Sequence, residues 1–159
     1  MKHQKTAKYG QFGMFQWILE SETDKNVLYE NSYYSFLVAC HSGRVKIAGL
    51  LLKKLDELKN YLIRKSQKFE PTYVESGFCG ACCAGNINIV EMFIDKSEKE
   101  RKNSFTESLT FDFTPKNRFG HTGFHIACEN GNTNILRVVV VDDVSLQFLR
   151  ASNRKAVHC

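Results

Sequence analysis

The sequence predicts an all-α fold made of stacked, repeated helix pairs. Three similar segments, "FLVACHSG", "FCGACCAG" and "FHIACENG", place Gly43, Gly85 and Gly131 at one equivalent position. Each glycine follows a Phe by seven residues, an Ala by four and a Cys by three, and apolar residues at helical spacing come after it. Self-similarity at a period of a few tens of residues is the signature of a stacked repeat.

The intervals between the glycines give the length of one unit. Gly10 opens a related segment, "GQFGMFQWIL", 33 residues before Gly43, and the next intervals are 42 and 46 residues. A unit of 33 residues with insertions of 9 and 13 explains all three intervals. We predict one domain over 1–159: an N-terminal cap or partial repeat (1–28), three repeats (29–69, 70–114 and 115–149) and the start of an incomplete repeat (150–159).

The first two units are predicted from their apolar patterns. In the N-terminal unit only the second helix has a clear apolar pattern, the run from Phe12 to Leu19. In the first full repeat, leucines 51, 55, 58 and 62 form one stripe, which predicts a second helix that continues to about Lys65. In the second repeat, the polar insertion "KSEKERKNSFTESLTFDFT" predicts a helix extension followed by a loop.

The third repeat carries the clearest local signals. Thr122 precedes an apolar run and can cap the helix that it opens. His125 lies on the first turn, where a ring nitrogen can bond to a backbone group, and Ala127 is small where two helices approach closely. Gly131 ends this helix in a left-handed conformation, as Gly43 and Gly85 do in theirs. Residues 138–141 have strand propensity, but the repeat register predicts a helix there.

The segment "HTGFHIACENGN" resembles the core motif Thr-Pro-Leu-His-x-Ala of ankyrin repeats, whose period is also 33 residues. The match is specific in the third repeat and looser in the first two, where Leu37 and Cys79 replace the His, and Gly or Ser replaces the Pro in all three. The resemblance implies an ankyrin solenoid of helix–turn–helix units joined by short β-hairpin-like loops. It also implies a concave face that binds a partner protein.

This resemblance also implies which residues bind the partner, because the repeat register assigns each position. They lie near the hairpin tips and on the exposed side of each first helix. They are Tyr33, His41, Ser42, Thr72, Tyr73, Glu75, Cys83, Arg118, Phe119, His121, Glu129 and Asn130.

Catalysis and metal binding are the competing hypotheses. Cys79-x-x-Cys82-Cys83 and His125-x-x-Cys128 have spacings that can hold zinc, and Cys83 with His125 could form a nucleophile pair. The repeat register accounts for these residues without a metal, and it predicts reduced, buried thiols at 40, 82 and 128. With no phosphate-cradling or hydrolase motif in the sequence, we expect no enzyme activity, no metal and no cofactor.

Composition and charge agree with an interaction module. The net charge of +5 is spread over segments that mostly also carry acids, so we expect solvated helix faces and no nucleic-acid partner. No apolar segment reaches the roughly 20 residues that span a bilayer, and no signal core follows the N-terminus, which favours the cytoplasm or nucleus and no membrane.

We expect another protein as the partner and no small-molecule substrate. By analogy the chain resembles small ankyrin-only inhibitors or decoys, such as the inhibitors of Rel/NF-κB transcription factors and their virus-encoded mimics. The alternative is a fragment of a larger ankyrin scaffold, channel or ligase whose activity lies in other domains. The incomplete last repeat favours this alternative.

Overall fold

A computed structural model describes residues 2–64, 73–103 and 121–141. These ranges contain eight helices and no strand, which confirms the all-α prediction. In chain order the helices are α1 (Lys2–Tyr9), α2 (Phe12–Ser21), α3 (Lys25–His41), α4 (Val45–Arg64), α5 (Tyr73–Ala84), α6 (Ile87–Asn103), α7 (Gly123–Glu129) and α8 (Thr133–Val141).

The helices pack in two rows, with one helix pair per unit. The odd-numbered helices α1, α3, α5 and α7 follow one another in the first row, and the even-numbered helices follow one another in the second row. The core lies between the rows and is dominated by large side chains that solvent does not reach. They include Phe15, Phe36, Ile47, Leu51, Leu55, Phe78, Ile89, Phe93 and Ile135.

Each helix pair turns at a left-handed glycine. The φ angles of Gly10, Gly43, Gly85 and Gly131 are 72°, 66°, 73° and 69°. In each turn, the N–H of the residue after the glycine donates to the carbonyl five residues earlier, at 2.9–3.2 Å. This bond satisfies a carbonyl that the end of the helix leaves free, and it requires a residue without a Cβ at the glycine. The predicted role of the last three glycines is confirmed, and Gly10 has the same role.

Side chains that follow the turn glycines join each unit to the preceding one. The Asn86 side-chain amide donates to the carbonyls of Cys40 at 3.0 Å and His41 at 2.7 Å. Asn132 repeats this contact one unit later, on the carbonyls of Cys82 and Cys83. In the first junction Arg44 takes this place and donates to the Lys8 carbonyl at 2.9 Å. The last carbonyls of α1, α3 and α5 therefore accept hydrogen bonds from the following unit.

First-row helices also approach closely at a second glycine. A Cβ built on Gly77 would lie 2.5 Å from Cε1 of Phe36, and a Cβ built on Gly123 would lie 2.7 Å from Cε1 of Phe78. Both glycines stand eight residues before the turn glycine of their unit. Here the missing side chain makes room for the phenylalanine ring of the preceding unit.

The N-terminal unit contains two helices, of which the sequence pattern showed only the second. Helix α1 is polar, Thr6 and Ala7 are buried among the side chains described from residue 4 onward, and the helix packs against α3. A polar helix of this length is marginal alone. Its packing on α3 therefore stabilises it.

One expectation about the loops is wrong. Residues 22–24 link α2 to α3 directly, and Asp24 caps α3 by accepting hydrogen bonds from the N–H groups of Asn26 and Val27. No β-hairpin forms in this link, Tyr33 lies within α3, and the predicted boundary between 28 and 29 falls inside the same helix. The capping aspartate begins the helix eight residues before the point where the repeat register put a hairpin tip.

The long second helices are confirmed. Helix α4 continues to Arg64 and α6 to Asn103, the last residues that the structure describes before each gap. The valine run after residue 137 continues helix α8, as the repeat register predicted. The other predicted hairpins, the loop of the second repeat and the incomplete last repeat lie outside the described residues.

Candidate binding surface

One face of the first row presents equivalent side chains from three successive units. They stand ten, six and two residues before the turn glycine, and residues four apart share one side of a helix. Each of them is at least partly exposed, and we call this set the first-row stripe. Its members are Tyr33, Leu37, His41, Glu75, Cys79, Cys83, His121, His125 and Glu129.

The stripe is most polar at α7. The Thr122 hydroxyl accepts a hydrogen bond from the backbone N–H of His125, and Nδ1 of His125 accepts from the backbone N–H of Thr122 at 3.3 Å. The predicted cap and the predicted histidine–backbone bond are therefore confirmed. Nδ1 of His121 lies 3.1 Å from a Glu129 carboxylate oxygen, and the two histidine rings are 6.3 Å apart.

A contact between units anchors the stripe at the helix ends. The Asn130 side-chain amide donates to the Cys83 carbonyl at 3.3 Å and lies 3.6 Å from the Cys83 sulfur. Asn130 therefore joins α7 to α5, as Asn132 does beside it. This contact fixes the spacing of the two helices under the exposed groups.

The centre of the stripe is less polar. Glu75 is half-buried, and its Oε2 makes no hydrogen bond within the described part of the chain. Burial raises the pKa of the Cys79 thiol, and the negative charge of Glu75 raises it further. Cys79 therefore stays protonated at neutral pH and contributes a small, weakly polar surface between Leu37 and His125.

The structure brings together six of the predicted partner-binding residues on the stripe: Tyr33, His41, Glu75, Cys83, His121 and Glu129. Ser42 and Asn130 lie beside it at the C-caps of α3 and α7. Thr72, Arg118 and Phe119 lie outside the described residues, as does the side chain of Tyr73, the first residue of α5.

Sequence reasoning missed several residues that shape this surface. Leu37 and Cys79 belong to the stripe, and their spacing of four from the predicted residues could have indicated it. Asn86 and Asn132 hold the units together. The Gly-Asn pair that recurs at both turns was the available signal.

The cysteines of the repeat divide into buried and exposed positions. Cys40 and Cys82 are fully buried, and burial raises the pKa of both thiols. Cys128 was predicted to be buried, but it is exposed. The physical reason lies in the stack: α5 covers Cys40 and α7 covers Cys82, whereas no helix in the described residues follows α7 in the first row.

The proposed zinc ligands do not converge. Cys82 is buried in the core, whereas Cys83 is exposed on the stripe. Among the residues that the structure describes, no three His, Cys, Asp or Glu side chains form a group that could hold a metal ion.

Thiol labelling can check this division. At mildly alkaline pH we expect N-ethylmaleimide to modify Cys83 and Cys128 in the folded protein, because their thiols are exposed. Cys40 and Cys82 should react only after denaturation, since their raised pKa values keep the thiolate unpopulated and burial blocks access. Peptide mapping by mass spectrometry distinguishes the sites, and protection of Cys128 equal to that of Cys82 would contradict the observed packing.

The second row forms a different surface. A groove of about 820 Å³ between α4 and α6 has Val45, Leu52 and Met92 on its walls, and Lys96 forms an ion pair with Asp56 across it. Its remaining charged residues carry both signs, so the groove does not favour a partner of one charge.

None of the helices in the described ranges is both long and apolar enough to cross a bilayer. Comparison of the chain with protein-family models, with curated proteins and with solved structures found no match.

Proposed function

We propose that this chain is a non-catalytic ankyrin-repeat module that binds a partner protein through the first-row stripe. The ankyrin assignment is supported by the motif of the third repeat, by one helix pair per unit and by left-handed glycines in the repeat register. The direct link between α2 and α3 departs from the hairpin that ankyrin repeats have.

The stripe is the observation that carries the binding proposal. Three units place side chains of varied chemistry next to one another on one exposed face, while the backbone contacts beneath them are fixed by Asn86, Asn130 and Asn132. The packed helices of a solenoid hold such a surface in place before the partner binds. Binding therefore costs little conformational entropy, because few side chains or loops have to become ordered. Tyr33 and the imidazoles offer aromatic area, and Glu129 offers a charge.

The mode of action that we propose is inhibition or decoy binding, in the cytoplasm or nucleus, by occupation of a surface of a signalling or transcription factor. A module that only binds would act by occluding its partner. This mode is an analogy to small ankyrin-only inhibitors.

A pair of charge variants tests the stripe. The site variant combines His41→Glu, Cys83→Arg and Glu129→Arg, all at exposed first-row positions. The control combines Asn134→Glu, Asn88→Arg and Glu91→Arg, which lie on exposed second-row positions and change the net charge by the same amount. Both should keep the helical circular dichroism of the native chain, because none of the six side chains is in the core.

Cross-linked partners are then captured from a cell lysate and identified by mass spectrometry. We expect a protein that the native chain and the control retain and that the site variant loses. Equal retention by all three chains would move the binding surface away from the stripe, and the absence of any retained protein would reject the interaction module.

A further inference from the structure

The end of the stack formed by α1 and α2 exposes side chains whose equivalents are buried in later units. Met14 stands four residues after the turn glycine of its unit and is 55% exposed. Ile47, Ile89 and Ile135 stand at the same position in their units and are at most 1% exposed. The first unit therefore leaves open a position that the stack otherwise covers.

Trp17 behaves in the same way. It stands seven residues after its glycine and is 68% exposed, whereas Leu50, Met92 and Val138 at the equivalent position are partly buried against the core. The sulfur of Met92 lies 3.8 Å from a Cβ built on Gly49 in the preceding unit. This position thus faces the preceding unit, and at Trp17 the described chain has no preceding unit.

Helix α1 extends the same surface. Tyr9 is equivalent to Asn130, whose side chain contacts the preceding unit, and Tyr9 is 67% exposed. Lys5 lies one helical turn before Tyr9 on the same side of α1 and is also exposed. We call Lys5, Tyr9, Met14 and Trp17 the open end of the stack.

The charge around the open end is mainly positive. Residues 1–19 contain no Asp or Glu, and Lys5 and Lys8 are exposed on α1; the next residue, Glu20, is exposed and accepts a hydrogen bond from the Gln16 side chain. Two copies that met through their open ends would bring these cations together, which is unfavourable. The partner that this charge favours is anionic.

A second copy also fits the open end poorly in another way: the open end lacks a feature by which successive units of the chain pack on one another. Where a unit packs on a preceding one, the position eight residues before its turn glycine is small: Gly77 and Gly123 receive the phenylalanine ring of their neighbour, and α3 has the buried Ser35. The equivalent position of the first unit, eight residues before Gly10, is Lys2.

From this combination we propose that the open end binds the surface of an anionic phospholipid membrane. Tyr9, Met14 and Trp17 enter the boundary between headgroups and acyl chains, where aromatic side chains with a polar atom are favoured. Lys5 and Lys8 contact anionic headgroups, each strengthening the binding about fivefold at the surface of a charged leaflet. The stripe stays free, so this attachment goes beyond the protein-binding proposal and is compatible with it.

This mode differs from the membrane involvement that the sequence argued against. That expectation rested on the lack of a spanning segment, whereas a short amphipathic surface lies on a bilayer without crossing it. Exposure of Met14 and Trp17 is a property of the end of the stack, and apolar residues on α2 by themselves predict only a core helix.

Trp17 is the only tryptophan of the chain, so its fluorescence reports on the open end. The full chain is titrated with vesicles of phosphatidylcholine alone and with vesicles that also contain phosphatidylserine. We expect a blue shift and quenching by brominated lipid with the anionic vesicles, weaker at high salt, and neither with the neutral vesicles.

Variants that keep Trp17 as the fluorescent reporter show which residues contact the vesicle. Met14→Gln should weaken vesicle binding about tenfold, because the apolar side chain no longer leaves water. Lys5→Gln with Lys8→Gln should weaken it about 25-fold, from fivefold for each lysine. The matched controls are Tyr34→Gln, exposed on α3, and Lys53→Gln with Lys99→Gln, exposed on the second row, and they should bind like the native chain.

Several outcomes would overturn the proposal. They are no blue shift with anionic vesicles, equal binding of the open-end and control variants, or a blue shift that grows with protein concentration without lipid, which would indicate a second copy. A blue shift with a single-stranded oligonucleotide but not with vesicles would assign the surface to nucleic acid. None of these results depends on whether the stripe captures a protein.

Discussion

Replacement of Phe78 by alanine should lower the free energy of unfolding by about 3–5 kcal/mol. The ring is almost fully buried and contacts two others edge to face: Phe93, with centroids 5.8 Å apart, and Phe124, at 5.4 Å. It also fills the space that Gly123 leaves open. Its removal would create a cavity shared by two units, which the rigid helix pairs could close only in part.

Urea unfolding followed by far-UV circular dichroism measures this loss. The control is Tyr34→Ala, which removes an aromatic ring that is 54% exposed on α3 and should change the stability by only about 0.5 kcal/mol. Since domains of this size have about 5–15 kcal/mol of total stability, the two variants should be clearly separated. Similar losses for both would contradict the packing of α5 against α7.

Two glycine-to-alanine changes in helix α5 should have opposite effects. At Gly77 the new Cβ would lie 2.5 Å from Cε1 of Phe36 and 3.2 Å from the sulfur of Cys40, both in the core. Overpacking of this kind costs about 1–3 kcal/mol. It should exceed the roughly 1 kcal/mol that alanine gains over glycine in a helix, so Gly77→Ala should destabilise the protein.

Gly80→Ala is the matched control in the same helix. No atom lies within 4 Å of a Cβ built there, so only the helix propensity changes and the protein should gain up to about 1 kcal/mol. Urea midpoints give the sign for each variant. If Gly77→Ala also raised the midpoint, the close approach of α3 and α5 would be wrong.

The unit repeat and its turns could be predicted because their causes are local. A glycine in the left-handed region, a small residue four positions earlier and an apolar run after it are requirements of one helix pair, and each unit repeats them. Thr122 with His125 is likewise a local cap, and the structure shows the bonds that this pair predicts. The same locality explains why the predicted lengthening of α4 is present through Arg64, the last residue that the structure describes in this helix.

The failures concern features that depend on the local start of a helix or on neighbouring units. Asp24 caps α3 and removes the hairpin that the repeat register placed before Tyr33. Helix α1 has almost no apolar pattern, and its packing on α3 stabilises it. Cys128 has the same sequence context as Cys40 and Cys82, yet it is exposed.

The candidate surface likewise has features that one unit determines and features that depend on neighbouring units. The register placed six residues on one face, because helical spacing is a property of each unit: Tyr33, His41, Glu75, Cys83, His121 and Glu129. The same spacing could have added Leu37 and Cys79, whereas the alignment of three helices into one surface required the structure.

By itself the sequence determined an all-helical chain of repeated pairs, three of the four turn glycines and the residues that can share a face, since these follow from backbone geometry within a unit. Tertiary structure alone decided which equivalent positions solvent reaches. Burial at a repeat position requires a neighbouring unit on that side: Ile47 and Cys40 have one, whereas Met14, Trp17 and Cys128 have none among the described residues. Identical positions in the repeat therefore contribute to the core in one unit and to a surface in another.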